Sequence, residues 1–494
     1  MKKKLLILFA IVTMGLSNTF AQSDDYLCFT AEEPNATVSF SAPDRISMEI
    51  SNDKKTWKAY ALNSVINLEK KGDKVYFRTS SDKTLKEFTT EWETCRFILD
   101  GPLVAASGNV MSLLDKTCSM TSLEGMDRVF ERLFADCKSL TMAPKLPATI
   151  LSSYCYCCMF TDCYNLRNAP ELPAVKMEEC CYQAMFAGCE SLEKAVDLPS
   201  TDLAEQCYYR MFEDCRLITE SPKLPAKSLA KGCYYSMFEN CSSLETVNTI
   251  SAEILAEGCC ASMFDDCISL VKAPKLPAMT LAEDCYNQMF CGCKNMKEAP
   301  ELPATKLKDR CYYMMFKGCG SLEKAPVLPA KKMEICCYFG MFSWCVKLKA
   351  TPELPATTLA DDCYYYMFAS SGLTTLPDLP AKILKPNCYE GMFSDCKNLI
   401  INSEAPGKKW SIAKGTSDDS ANDWNMDMFK GTSGNFTGNP QIGVTYYVLS
   451  DKETTGIPNV KADNLKLSFK VIDNGKIHIV NGNKKYTVSG LETE

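Results

Sequence analysis

Apolar positions through the middle of the chain recur with a fixed spacing. The consensus, readable from Leu322 to Cys345, is L-x-x-A-P-x-L-P-A-x-x-L-x-x-x-C-Y-x-x-M-F-x-x-C. The methionine of the Met-Phe pair falls every 26 residues, at Met159, Met185, Met211, Met237, Met263, Met289, Met315, Met341 and Met367. A step of 25 leads to Met392, and a degenerate copy precedes the series at Leu133-Phe134. Self-similarity at such a period is the signature of a stacked array, because one unit cannot bury its apolar face alone.

Within a unit the apolar period changes. Leu359, Cys363 and Met367 stand four apart with Phe368 beside them, which predicts a short helix of about two to three turns. The half containing Leu322, Ala325 and Leu328 is too rich in proline for a helix. Pro326 and Pro329 there bracket one or two extended residues. The expected fold class is therefore an α/β solenoid of 26-residue units, each a short strand plus a short helix. Parallel strands would place equivalent residues roughly 4.8 Å apart, as ladders of identical side chains. Proline inside a sheet removes a ladder hydrogen bond, so the strands should be very short with the prolines at their ends.

These residues resemble the BspA-like leucine-rich repeats of surface proteins from gut and oral anaerobes. The usual form there is closer to I-P followed by I-G-x-x-A-F-x-x-C-x-x-L. On that match Cys311 stands where the family has a buried Ile, Cys319 is the shared cysteine, and Met315-Phe316 replaces Ala-Phe. The resemblance covers about residues 115–400. It implies a leucine-rich-repeat-like superhelix and, broadly, adhesion or host interaction.

The flanks read differently. Met1 to about Ala21 has the pattern of a secretory signal: Lys2-Lys3-Lys4, an apolar stretch from Leu5 to about Leu16, and a small-residue exit near Ala21. No later apolar run is long enough to span a bilayer. The expected location is thus secreted or at the cell surface. Residues 22–112 alternate with period two, as in Thr37-Val38-Ser39-Phe40 and Val75-Tyr76-Phe77-Arg78, and predict a small β-sandwich that caps the first repeat. An exposed Trp57 or Tyr60 would give this sandwich a surface for a sugar ring. Residues 113–400 are the solenoid of about 11 units. Residues 401–440 lose the period and form an end cap, in which Trp424 to Gly438 is similar to the ending of family members. Residues 441–494 return to β alternation, and their run from Asn474 to Gly490 is faintly similar to the start of a type IX secretion sorting domain, a possible attachment segment. His478, the single histidine, falls in one of these strands.

Composition narrows the chemistry. A net charge of −7 without a basic stripe argues against nucleic acid. The 29 cysteines admit three readings. Zinc needs convergent ligands at closer spacing, usually with histidine. A disulfide scaffold suits an exported chain. Small buried thiols filling ladder slots suit the repeat. No catalytic residue, cofactor site or metal site is assigned: no phosphate loop or zinc-protease motif occurs, and the one His lies outside the repeats, far from nearly every Cys in sequence, with no motif around it.

Variation inside the fixed ladder marks a display surface. One column runs Glu171, Asp197, Lys223, Thr249, Lys275, Glu301, Val327, Glu353 and Asp378. A second runs Asn168, Lys194, Glu220, Thr246, Lys272, Glu298 and Lys324. Solvated charge pairs would also produce this variation. The candidate ligand face comprises the charged members Glu171, Lys194, Asp197, Glu220, Lys223, Lys272, Lys275, Glu298, Glu301, Lys324 and Glu353. Its mixed signs favour a protein partner. The alternative is a carbohydrate, which requires exposed aromatic rings flanking polar groups in one groove. A recurrent Tyr after the first cysteine, from Tyr156 to Tyr389, reads as a packing ladder with hydroxyls at the rim, or as a sticky stripe.

Overall fold

Alternating residues from Tyr26 onward form strands because their apolar faces share one aromatic core. The computed structural model describes residues 25–85, 88–90, 93–418, 423–449, 468–473, 476–481, 484–487 and 492–493. The expected export signal lies outside the described residues. Strands β1 (Leu27–Ala31), β2 (Ala36–Ser41), β3 (Met48–Ser51), β4 (Lys58–Ala59), β5 (Ile66–Leu68), β6 (Lys74–Thr79), β7 (Arg96–Asp100), β8 (Val104–Ser107) and β9 (Leu140–Met142) make two sheets. Their orders are β4-β3-β6-β1-β8-β9 and β5-β2-β7. Phe29 and Phe77 of the first sheet meet Phe40 and Phe97 of the second, with ring centroids 4.7–6.5 Å apart. The last strand of the larger sheet, β9, belongs to the first repeat and pairs with β8 in parallel. The expected boundary at residue 112 is therefore crossed by a continuous sheet.

Beyond it, successive coils lie one on the next, 26 residues apart. Their strand sides touch through single parallel bridges such as Asn168 to Lys194, Lys272 to Glu298 and Glu298 to Lys324. Each bridge is one residue long because Pro274, Pro300 or Pro326 follows two residues later and has no N–H to extend the ladder.

The expected helix is absent. The segment from Glu178 to Cys189 is a run of overlapping turns. Cys181, Gln183, Met185, Ala187 and Cys189 donate their N–H groups three residues back within the coil. The amides between them, Tyr182, Ala184, Phe186 and Gly188, donate to Cys207, Tyr209, Met211 and Glu213 of the next coil. Every fourth residue has a left-handed backbone: Cys180 (φ 51°), Ala184 (φ 47°) and Gly188 (φ 74°). A right-handed helix cannot contain such residues, and each costs a non-glycine side chain about 1–2 kcal/mol. The reversal turns alternate amides out of the coil, and the hydrogen bonds to the neighbouring coil offset that cost.

The interior is a set of columns. The Met-Phe phenylalanines stack without a break from Phe134 to Phe429, with centroids 5.3–5.8 Å apart and planes within 1–19°. That separation is in the range of offset aromatic stacks. Phe97 of β7 continues the column at its start, 5.4 Å from Phe134. At the other end the ladder goes one rung further than the sequence suggested. Met428-Phe429 follows Met392-Phe393 after a longer step, and Phe393 N–H donates to the Met428 carbonyl at 3.0 Å. Trp410, Phe436 and Tyr446 then close over that rung. The shortened coil after Met367 is accommodated at Gly372, where a Cβ would lie 2.1 Å from the Val346 carbonyl oxygen.

Residues 449–494 form a separate compact unit. Its strands Ser468–Asp473, Lys476–Asn481, Lys484–Thr487 and Glu492–Thr493 make an antiparallel meander, in which His478 pairs with Val471 and Thr487. Among the described residues no helix is long and apolar enough to cross a membrane.

Candidate functional site

The strand side of the coils carries both variable columns. All eleven charged candidates are exposed: Glu171, Lys194, Asp197, Glu220, Lys223, Lys272, Lys275, Glu298, Glu301, Lys324 and Glu353. The parallel bridges put Lys272 beside Glu298 and Glu298 beside Lys324. The neighbouring leucines, Leu276, Leu302 and Leu328, point inward and are 2–3 % exposed. The period-two alternation of the short extended segment thus turns Lys275, Glu301 and Val327 outward.

Consecutive coils leave grooves between them on this side. One of about 410 Å³ separates Lys272, Pro274, Lys275 and Pro277 from Glu298, Pro300, Glu301 and Pro303. Its walls carry opposite charge. The next, of about 790 Å³, lies between Glu298 and Glu301 on one coil and Lys324 and Val327 on the following one. A third reaches Glu353. The floor is stiff, because proline rings line it and fix the backbone. Ion pairs of the stack form elsewhere, as between Lys231 and Glu257 or Lys332 and Glu334. Among the described residues none of the eleven joins one, so the adjacent opposite charges on this face are exposed and unpaired with each other. Glu220 alone of them is tied, accepting from Asn248 Nδ2 at 3.3 Å.

Sequence reasoning took the prolines only as strand terminators and missed that Pro274, Pro277, Pro300 and Pro303 line the grooves. The signal was available: prolines at two fixed places in every unit must form columns of their own. Val327, 77 % exposed, adds an apolar contact beside Lys324 and Glu323.

Other candidates fall inside the fold. Tyr60 is buried, and its hydroxyl donates to the Ser64 carbonyl at 2.6 Å. Trp57 has the Arg78 guanidinium 3.9 Å over its ring. Tyr60 is thus closed to a sugar, and Trp57 is half-buried with Arg78 over its ring and Tyr26 edge-on at 4.9 Å. The recurrent tyrosines are also interior, from Tyr156 to Tyr389, at 0–2 % exposure. Their hydroxyls are not at a rim: those of Tyr156 and Tyr182 are buried without a hydrogen-bond partner. Burial pushes both phenols well above their ordinary range.

The two cysteine columns differ. In the second, each thiol donates to the phenylalanine carbonyl one coil back: Cys189 to Phe160, Cys215 to Phe186, Cys241 to Phe212 and Cys267 to Phe238, all at 3.1 Å. In the first column Cys233 reaches the Cys259 carbonyl only at 4.0 Å. Cys181 and Cys337 contact methionine sulfurs. Cys207, Cys233 and Cys259 are unpaired thiols on successive coils. Burial pushes Cys207 up to about 12, far from a thiolate nucleophile at neutral pH. Among the described residues no group of three or more His, Cys, Asp or Glu converges to hold a metal.

Comparison with protein-family models, with curated proteins and with solved structures finds no match.

Proposed function

We propose that this chain is an exported, non-catalytic binding protein of the BspA-like leucine-rich-repeat kind, a solenoid that binds other proteins through its strand face. It rests on one observation. Lys272 and Lys275 face Glu298 and Glu301 across a proline-lined groove with no ion pair closing it. Unpaired charged groups on a rigid floor are preorganised for a partner that brings complementary charges. The alternating sign suits a protein surface or an extended peptide better than a uniformly charged polymer. On this reading the C-terminal meander serves as the attachment segment.

Residues 22–494 should be screened against purified extracellular-matrix and bacterial surface proteins. A partner should bind less tightly as salt rises. The combined variant Lys272→Glu, Lys275→Glu, Glu298→Lys, Glu301→Lys should weaken it at least tenfold with an unchanged melting temperature. A partner indifferent to all four reversals would show that this face is not the binding surface.

A further inference from the structure

The turn side carries a second trough, about 520 Å³, running along the stack axis. Its floor is Gly232 and Gly258. Both occupy the left-handed position that precedes the first-column cysteine, at φ 56° and 58°. The backbone does not require glycine there. In the same position Gln206, Asp284 and Arg310 hold φ 52–54°, and Cys180 and Asp362 hold 51° and 55°. A Cβ on Gly258 would meet only Tyr235 Cδ2, at 3.8 Å, an ordinary contact. Gly258 is therefore a side-chain deletion in a column of larger residues, whereas a Cβ on Gly232 would press on Gln206 Cγ at 3.2 Å; together the two leave space.

One wall of that space is aromatic. Tyr209 and Tyr235 stack with centroids 5.1 Å apart. The stack ends at Tyr235, because the next two coils have Ala261 and Asn287 in that column. It resumes beyond them as Tyr313, Phe339 and Tyr365. The polar groups around the trough are already fixed and neutralised. Arg310 holds Asp284 through Nε at 3.0 Å and Nη2 at 2.9 Å. Asn287 Nδ2 donates to the same carboxylate at 2.8 Å. Lys231 and Glu257 pair at 3.2 Å on the opposite wall.

We infer that this trough is a saccharide-binding site for a neutral oligosaccharide. A neutral, hydroxyl-rich ring has an apolar face for tyrosine and hydroxyl groups for oriented carboxylates and amides. A charged peptide finds no net charge here, since both acid–base pairs are internally satisfied. The site lies away from the strand-face grooves and uses none of their residues, so it is independent of the protein-binding reading.

The test uses residues 22–494 on an array of neutral hexose, N-acetylhexosamine and pentose oligosaccharides, with acidic glycans and tyrosine- or phenylalanine-containing peptides alongside. Two variants address the trough. Gly258→Gln fills it with the residue that position 206, two coils away in the same column, already carries in the same conformation. Tyr235→Ala removes the aromatic wall. The expected result is binding to a neutral saccharide that Gly258→Gln and Tyr235→Ala each weaken at least tenfold. Gly258→Gln should lose no more stability than one left-handed side chain costs, and the four strand-face reversals should leave saccharide binding untouched. No neutral saccharide bound, binding indifferent to Gly258→Gln, or a trough that takes peptides or acidic glycans instead would overturn the inference.

Discussion

Each second-column cysteine both fills a slot and donates its proton to the coil behind it. Cys241 reaches the Phe212 carbonyl at 3.1 Å, whereas first-column Cys233 reaches the Cys259 carbonyl only at 4.0 Å. A serine keeps the donor but not the size. Cys241→Ser therefore keeps a carbonyl acceptor one coil back, while Cys233→Ser has none within reach in the neighbouring coil and only the local backbone of Ala230 and Tyr234 beside it. The second should be less stable than the first by roughly 1–3 kcal/mol, read by chemical denaturation. The chain offers its own precedent: Ser371 occupies a second-column place and touches Cys396 Sγ at 3.3 Å. Asp265 sits between these columns and the surface. Burial first, then the charges of Asp266 and Glu239, raise its carboxyl from 3.8 to about 7, against a hydrogen bond with Cys291. An acid that holds its proton more tightly when folded contributes stability at low pH. That contribution is lost as pH rises from about 4 to about 7. Asp265→Asn should flatten the stability–pH curve across that window. An unchanged curve would mean that Asp265 is as well solvated folded as unfolded.

At the scale of the element, the strand half was legible and the helix half was not. Prolines two residues after Lys272, Glu298 and Lys324 imply very short strands, and single bridges are what form there. The apolar places at Leu359, Cys363 and Met367 point to a helix because a four-residue step fits a helix face over so short a run. A spiral of turns presents the same face. The discriminating signal lay in the residue before the second-column cysteines, which is Asp, Asn or Gly everywhere except at Trp344: Asp162, Gly188, Asp214, Asn240, Asp266, Gly292 and Gly318 among them. Asp, Asn and Gly are the residues that accept a left-handed backbone most readily, and all seven adopt it. Ala184 tests the point, since its φ is 47°. In a helix, Ala→Gly costs about 1 kcal/mol. In this turn, Ala184→Gly relieves a left-handed alanine, and the melting temperature should stay level or rise. A clear fall would restore the helix.

Across the molecule, stability is shared between neighbours. Each coil bonds to the one above and below, and the exposed ends are closed by unlike pieces: Phe97 over Phe134 at the start, Trp410 and Phe436 over Phe429 at the finish. The period, the columns and the outward charges could be read from the sequence because repetition prints each contact many times. The grooves and the trough could not. They arise where the repeat is silent or broken, at prolines read only as stops and at the paired glycines 232 and 258. Both proposed binding surfaces depend on one property, that residues 26 apart are packed neighbours and residues 78 apart are not. Double-mutant cycles read this directly. Phe264→Ala alone should cost roughly 3–5 kcal/mol. Combined with Phe238→Ala, whose ring is 5.8 Å away, it should show a coupling of about 0.5–1.5 kcal/mol. Combined with Phe342→Ala, three coils away, it should be additive within about 0.5 kcal/mol. Additivity for the near pair, or equal coupling for both, would contradict the stack.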